Sequence, residues 1–160
     1  MNPPLDDTDR RILEILQVEG RIPNNRLASR IGLSESPCLR RVKALEERGV
    51  IERYAAILRP EALGYDATVF VHVALQRQGQ ADLSAFERAA VDIPEVVECY
   101  LMSGDFDYLL RVVVRDMADF ERIHNEHLTR LQGVARLQSS FALRSVKRAG
   151  PLRVPSARGG

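Results

Sequence analysis

Between Asn25 and Tyr54 the chain carries two short helical patterns around the turn Gly32-Leu33. Gly49 closes the second, and the β-prone run Val50 to Leu58 follows. Few arrangements satisfy that order. It predicts a helix-turn-helix with a wing, in which one helix is held from behind and offers its front to a partner.

The second of these helices is expected to begin near Ser34 or Ser36, either of which can cap it. Pro37 fits its first turn, where the missing N–H has no helical partner. At 100° per residue, Cys38, Val42 and Leu45 share one side, while Ser36, Arg40, Lys43 and Glu47 share the other. Arg40 and Lys43 suit guanine edges or phosphates. Ser36 and Pro37 suit the DNA backbone or a thymine methyl. The candidate DNA contacts are therefore Ser34, Ser36, Pro37, Leu39, Arg40, Arg41 and Lys43, with Arg53 of the wing on a flanking phosphate. A three-helix domain with ordinary solvated charges is the alternative. The turn, the small Ala28, the capping serines and the wing together favour a reader.

Upstream, Leu5 to Gly20 predicts another helix, capped by Asp6 or Asp7, with Asp9 in its first turn and Gly20 as a left-handed stop. Ile12, Leu13 and Leu16 form its inward stripe. A middle helix over about Asn24 to Ile31 turns Leu27, Ala28 and Ile31 inward.

Charge divides the chain. The net charge is only +1. Residues 20–59 hold nine basic and four acidic residues, residues 60–143 hold seven and thirteen, and residues 144–160 hold five basic residues and no acid. Only the front segment suits phosphates. No apolar run approaches the ~20 residues of a membrane span. The start, Met-Asn-Pro-Pro-Leu-Asp-Asp, lacks the basic and apolar regions of a signal peptide. Cys38 and Cys99 lie in different predicted elements, so no disulfide framework is expected and a cytoplasmic setting follows.

Residues 1–59 thus form the expected DNA-binding module and 60–66 a Pro- and Gly-punctuated linker. Residues 67–147 form an αβ plait, and 148–160 a basic, disordered tail. In the plait, strands over 67–75, 96–102, 108–114 and 134–143 alternate with helices over 81–91 and 116–131. The order β-α-β-β-α-β is ferredoxin-like. The fold class is α+β. The sheet face opposite the helices reads as apolar and in need of a partner subunit.

Catalysis finds little support. His72 lies in a strand. His124 and His127 are three apart on a helix, not at the i, i+4 spacing of a metalloprotease. Asp105 and Asp107 flank a hairpin without a third metal ligand. Ser103-Gly-Asp-Phe-Asp107 is better suited to a small zwitterion. Its N–H groups and the Ser103 hydroxyl offer donors to a carboxylate, and Asp105 or Asp107 offers an acceptor to an ammonium. Leu101, Met102 and Phe106 line an apolar side. A plain turn is the alternative.

These residues together resemble the Lrp/AsnC family (leucine-responsive regulatory protein/asparagine regulator). The resemblance runs from about Leu5 to Lys147. It rests on Leu5-Asp-Asp-Thr-Asp-Arg-Arg-Ile-Leu, Leu27-Ala, Gly32-Leu-Ser, Ser36-Pro-Cys-Leu-Arg-Arg-Val, Leu45-Glu and Gly49-Val-Ile in front. Behind, it rests on Gly104-Asp-Phe-Asp-Tyr-Leu-Leu and Gln138-Ser-Ser-Phe-Ala-Leu. Pro23-Asn24 departs from it, where the family usually has a Ser or Thr cap.

The resemblance implies an N-terminal winged helix-turn-helix domain and a C-terminal amino-acid-sensing plait. It implies dimers formed through the sheet faces, octamers or other assemblies of dimers, and near-palindromic operator DNA. An amino-acid effector would sit between dimers, with no other cofactor. One wall would be Leu101, Met102, Ser103, Gly104, Asp105, Phe106, Asp107 and Tyr108. The other would come from another subunit, through Val134, Arg136, Gln138, Ser139 and Ser140. The Ser36-Pro-Cys-Leu-Arg-Arg run and the apolar loop look like the leucine- or methionine-responsive branch. Implied, then, is a cytoplasmic, nucleoid-associated transcriptional regulator that is neither an enzyme nor a membrane protein. The alternatives are an architectural DNA compactor without effector and an enzyme of the same layout resembling the tetrapyrrole decarboxylases.

Overall fold

A computed structural model describes residues 4–155, which fall into two units. The first comprises the chain up to Ile57 together with the segment from Lys147 onward, and the second is Leu58–Val146.

The first unit is built on α1 (Asp7–Val18), α2 (Asn24–Ile31) and α3 (Glu35–Glu47). Asp6 caps α1 in a reciprocal box: its carboxylate accepts the Asp9 N–H at 2.8 Å, and Asp9 accepts the Asp6 N–H at 3.4 Å. Two otherwise orphaned donors are thereby satisfied. Gly20 is not the left-handed stop expected. α1 ends at Glu19, whose N–H bonds the Ile15 carbonyl, and Gly20 is not among the positive-φ glycines. Gly32 is, at φ 75°, and its N–H closes α2 onto Ala28 and Ser29. A side chain at that position would strain the turn into α3. Pro23 gives α2 an extended entry without a side-chain cap, and Asn24 instead donates to the Glu35 carbonyl at 2.9 Å. Ile12, Leu13, Leu27, Ala28, Ile31, Cys38 and Leu45 form the core.

Two expectations differ here. Residues 50–58 form no strand. A strand needs a ladder partner, and none is assigned to this stretch among the described residues. The stretch is anchored instead by Tyr54, whose hydroxyl donates to Glu46 at 2.9 Å. Burial and the Glu46 carboxylate push that phenol up to about 12. The tail also departs from the disorder expected of residues 148–160. As far as Pro155 it is bonded to α1, because Leu152 finds Gln17 and Val154 finds the core. Residues 156–160 lie outside the described residues.

The second unit contains β1 (Ala67–Leu75), α4 (Gln80–Val91), β2 (Val96–Leu101), β3 (Tyr108–Val114), α5 (Met117–Glu126) and β4 (Val134–Phe141). The antiparallel strands lie in the order β2-β3-β1-β4, the expected plait. Along β1, Val69, Val71 and Val73 are fully buried against the helices while Phe70, His72 and Ala74 alternate to the other side. Each such buried valine contributes about 1.5–3 kcal/mol. The second helix is shorter than expected. His127 leaves helical backbone, and a 3-10 turn at Leu128–Arg130 brings Leu128 and Leu131 into the core. The open sheet face is mixed rather than apolar. Beside Phe70, Ala74 and Leu109 it carries an Arg111–Glu98 ion pair at 2.6 Å, with Tyr100 donating to Glu98 at 3.1 Å.

Candidate DNA interface and ligand loop

α3 is anchored by Cys38 and Leu45, both fully buried, and burial pushes the Cys38 thiol up. Its opposite side is free. Ser36, Leu39, Arg40, Lys43, Ala44 and Glu47 line an open groove of about 400 Å³ along the helix. Arg40 and Lys43 enter no ion pair among the described residues, so their charge is available to phosphates. Ser34 is the N-cap, without a side-chain bond to the helix, and leaves its hydroxyl exposed. Pro37 is half-buried in the first turn, and Arg53 is exposed beyond α3.

Arg41 has a different place from the one expected. It turns back to α1 and donates to Asp6 at 2.6 Å and Asp9 at 2.8 Å. Those carboxylates hold its guanidinium above its usual range, and Asp6 is held low by the Asp9 N–H and by Arg41. Arg41 fixes the angle of the reading helix and is withdrawn from its front. It was expected among the DNA contacts with the other basic residues of the helix; the acidic first turn of α1 is the signal of its actual partner.

In the second unit the loop between β2 and β3 has an exposed rim and a fastened base. Leu101, Met102, Ser103, Gly104 and Asp105 are exposed. Gly104 sits at φ 132°, where a side chain would be strained. Asp107 forms the base. One carboxylate oxygen accepts the Leu75 N–H at 2.7 Å, and the other accepts the Gln78 amide at 2.8 Å. Its own N–H reaches the Val73 carbonyl, and its carbonyl accepts the Met102 N–H. Asp107 is therefore spent on the loop, while Asp105 is exposed.

Two other candidates lie off the loop's front. Tyr108 is buried among the helices and donates to Glu87 at 2.8 Å. Burial and that carboxylate raise its ionisation. Val134 packs on the core.

β4 is split by strand alternation. Arg136, Gln138 and Ser140 pair with Ala74, His72 and Phe70 on the open face. Ser139 pairs with buried Val71 and points the other way, as Phe141 does in meeting Phe120 at 5.2 Å. The loop and β4 meet through Phe106. The Arg136 guanidinium lies 4.5 Å from the centre of the Phe106 ring, and the His72 ring lies 5.1 Å from it. A cation seated on an aromatic face keeps its outer N–H groups for a carboxylate. His72 and Gln78 were not expected at this site. His72 could have been found from its place on the open side of β1, but nothing near Gln78 marks it as the partner of Asp107.

A further groove of about 370 Å³ opens at the ends of α4 and α5, lined by Ile93, His127, Arg130 and Leu131 among others. It shares no residue with the loop. Among the described residues no group of three or more His, Cys, Asp or Glu is placed to hold a metal ion, and no helix is long and apolar enough to cross a membrane.

Sequence profiles match both units, the second profile running past Val146 into the returning segment. A winged helix-turn-helix DNA-binding profile matches residues 5–52, and the Lrp/AsnC ligand binding domain matches residues 68–152. The chain is 43% identical over 145 residues to a leucine-responsive regulatory protein of Rhizobium meliloti, covering 91% of this chain and 93% of that one. Against the leucine-responsive regulatory protein of Escherichia coli it is 42% identical over 148 residues, covering 92% and 90%. The fold superposes with a TM-score of 0.88 on a Neisseria meningitidis transcriptional regulator solved with L-methionine, at 38% identity and 93% and 96% coverage. A feast or famine regulatory protein of M. tuberculosis, also complexed with L-methionine, gives 0.79 at 31% identity, covering 98% and 99%.

Proposed function

The chain belongs to the Lrp/AsnC family of transcriptional regulators, with a DNA-binding domain in front and a ligand-binding domain behind. From that premise we propose that it acts by binding rather than by catalysis, as a cytoplasmic, nucleoid-associated regulator. It recognises operator DNA as a two-fold dimer, or an assembly of such dimers, and responds to leucine or methionine.

The observation that carries the reading is the division of labour on α3: Arg41 is tied inward, while Arg40 and Lys43 line the groove and enter no ion pair among the described residues. A dimer presents two such helices to successive major grooves, about 34–36 Å apart. Arg40 and Lys43 read or grip the DNA there, with Ser34, Ser36, Pro37 and Leu39 beside them and Arg53 on the flank.

For the effector, the α-carboxylate takes N–H groups of the loop, the Ser103 hydroxyl or the outer edge of Arg136. The ammonium takes Asp105. The apolar side chain lies on Leu101, Met102 and Phe106. Gln138 and Ser140 complete the wall from β4. That two structural relatives are complexes with L-methionine, and that sequence relatives are named leucine-responsive, supports this choice of ligand class. Any coupling to DNA must appear as a difference in effector affinity between free and bound protein.

The test is titration of promoter DNA from the protein's own operon with and without leucine and methionine, alongside a mass measurement. Specific binding at half-sites one turn apart, shifted by one of these amino acids, is expected. Binding without sequence preference and indifferent to all twenty amino acids would leave the architectural reading instead.

A further inference from the structure

The first and last described segments lie in one unit. The chain leaves the DNA-binding unit at Ile57 and returns at Lys147. The returning segment runs alongside α1 in the opposite direction, with Leu152 beside Gln17 and Pro155 beside Arg10. The lengths agree: three residues of extended chain cover about 10 Å, and seven residues of helix cover about 10.5 Å.

The contact at Gln17 has two points. Its amide donates to the Leu152 carbonyl at 3.0 Å, and its oxygen accepts the Leu152 N–H at 2.6 Å. A carboxamide repeats the donor and acceptor of a peptide group, so one side chain reproduces a rung of a β ladder. A slip of one residue would break both bonds, which fixes the register. Val154 packs on the core while Arg153 is exposed.

At the far end Arg10 donates to the Pro155 carbonyl at 2.8 Å, and also to Asp7 and the Leu5 carbonyl. Its side chain is only 12% exposed. The turn it fastens is the one whose Asp6 and Asp9 hold Arg41 of α3. A chain of contacts therefore runs from the C-terminal segment through α1 to the reading helix.

We propose that residues 147–155 are a strap of the DNA-binding unit. The surface of α1 formed by Arg10 and Gln17 takes this segment of the same chain, and the reader attains its full rigidity and DNA affinity only with the strap seated. The proposal rests on the DNA-binding reading above for its functional consequence, but not for the docking itself.

The test is a cycle of four proteins: the full chain, Gln17→Glu, a chain ending at Val146, and that shorter chain with Gln17→Glu. The new carboxylate faces the Leu152 carbonyl with no donor and breaks half of the pair. In the full chain it should speed amide exchange in α1 on the order of tenfold and weaken operator binding several-fold. In the shorter chain it should change neither, because its partner is gone. Binding of methionine and leucine should be the same in all four.

Equal effects of Gln17→Glu in both backgrounds, or α1 exchange unchanged by truncation, would overturn the strap. Arg153→Gln keeps the docking and removes outward charge. It should leave α1 exchange unchanged; if it alone reproduced the whole loss of affinity on truncation, charge and not docking would be responsible. A full chain that bound no operator would refute the regulator reading, while α1 exchange would still judge the strap.

Discussion

Arg41 and Asp9 are joined across the helix-turn-helix by a 2.8 Å bond spanning 32 residues of sequence, and Asp9 is the one buried charged residue among those described. Removing the guanidinium leaves that carboxylate with its cap bond and a distant Arg48 at 3.9 Å. Arg41→Gln should therefore cost about 2 kcal/mol of stability, read as a lower thermal or urea midpoint. The salt dependence of operator binding should not change. A reduced salt slope with an unchanged midpoint would return Arg41 to the DNA.

Asp6 adds a pH dependence. Its carboxyl is held low by the Asp9 N–H, partly opposed by burial, and then by Arg41. A group with a depressed folded pKa stabilises fully above its unfolded value, here 3.8, and the contribution is lost as pH falls through the lower folded value. Asn keeps a capping oxygen without a charge. Asp6→Asn should thus flatten the fall in the unfolding midpoint below about pH 4 while preserving α1. An acid limb as steep as that of the unaltered protein would mean that other carboxylates set it.

Arg40→Ala and Lys43→Ala should each weaken operator binding and lower the slope of log K against log salt by about one. If Arg40 reads a base, only its variant should also lose discrimination between operators. Thermal midpoints should stay near that of the unaltered protein, since neither side chain enters an ion pair among the described residues.

The helices and strands were legible because period and punctuation agreed: Gly32 stops α2, Asp116 caps α5, and β1 alternates from Thr68 to Leu75. What could not be read were choices between equivalent partners. Helical spacing puts Arg40 opposite Cys38, Val42 and Leu45, but only the path of α1 gives the neighbouring Arg41 its partners Asp6 and Asp9. Asp105 and Asp107 look alike in the hairpin, and only the position of the Leu75 N–H separates them. The strand expected over residues 50–58 is absent for another reason. Residues 50–58 have β propensity, but propensity supplies no ladder partner. The tail reads as Pro-, Gly- and Arg-rich, while its docking depends on one side chain, Gln17, more than a hundred residues away.

Asp107→Asn tests the separation of the two loop acids. The aspartate accepts from two donors, the Leu75 N–H and the Gln78 amide. An amide keeps one acceptor and turns its NH2 against the other donor. The variant should lose about 1–2 kcal/mol of stability and bind effector weakly because the loop loosens. Asp105→Ala, exposed and unneeded by the fold, should keep its thermal midpoint and lose effector affinity alone. The same midpoint for both variants would erase the distinction.

Phe106 and Arg136 provide the sharpest test of the ligand site, since they join the loop to β4. Arg136→Lys keeps the charge but not the flat guanidinium that lies on a ring and offers paired donors. Arg136→Met keeps length without charge. If the guanidinium receives the effector carboxylate, calorimetry with methionine should show a several-fold loss for Lys and a larger one for Met. Phe106→Ala should weaken binding as well, because the cation loses its seat. Each of these side chains lies in the plait unit, so operator binding without effector should persist in all three variants. Equal effector affinity for Arg, Lys and Met at this position would remove Arg136 from the site and leave the carboxylate to Ser103 and the loop N–H groups.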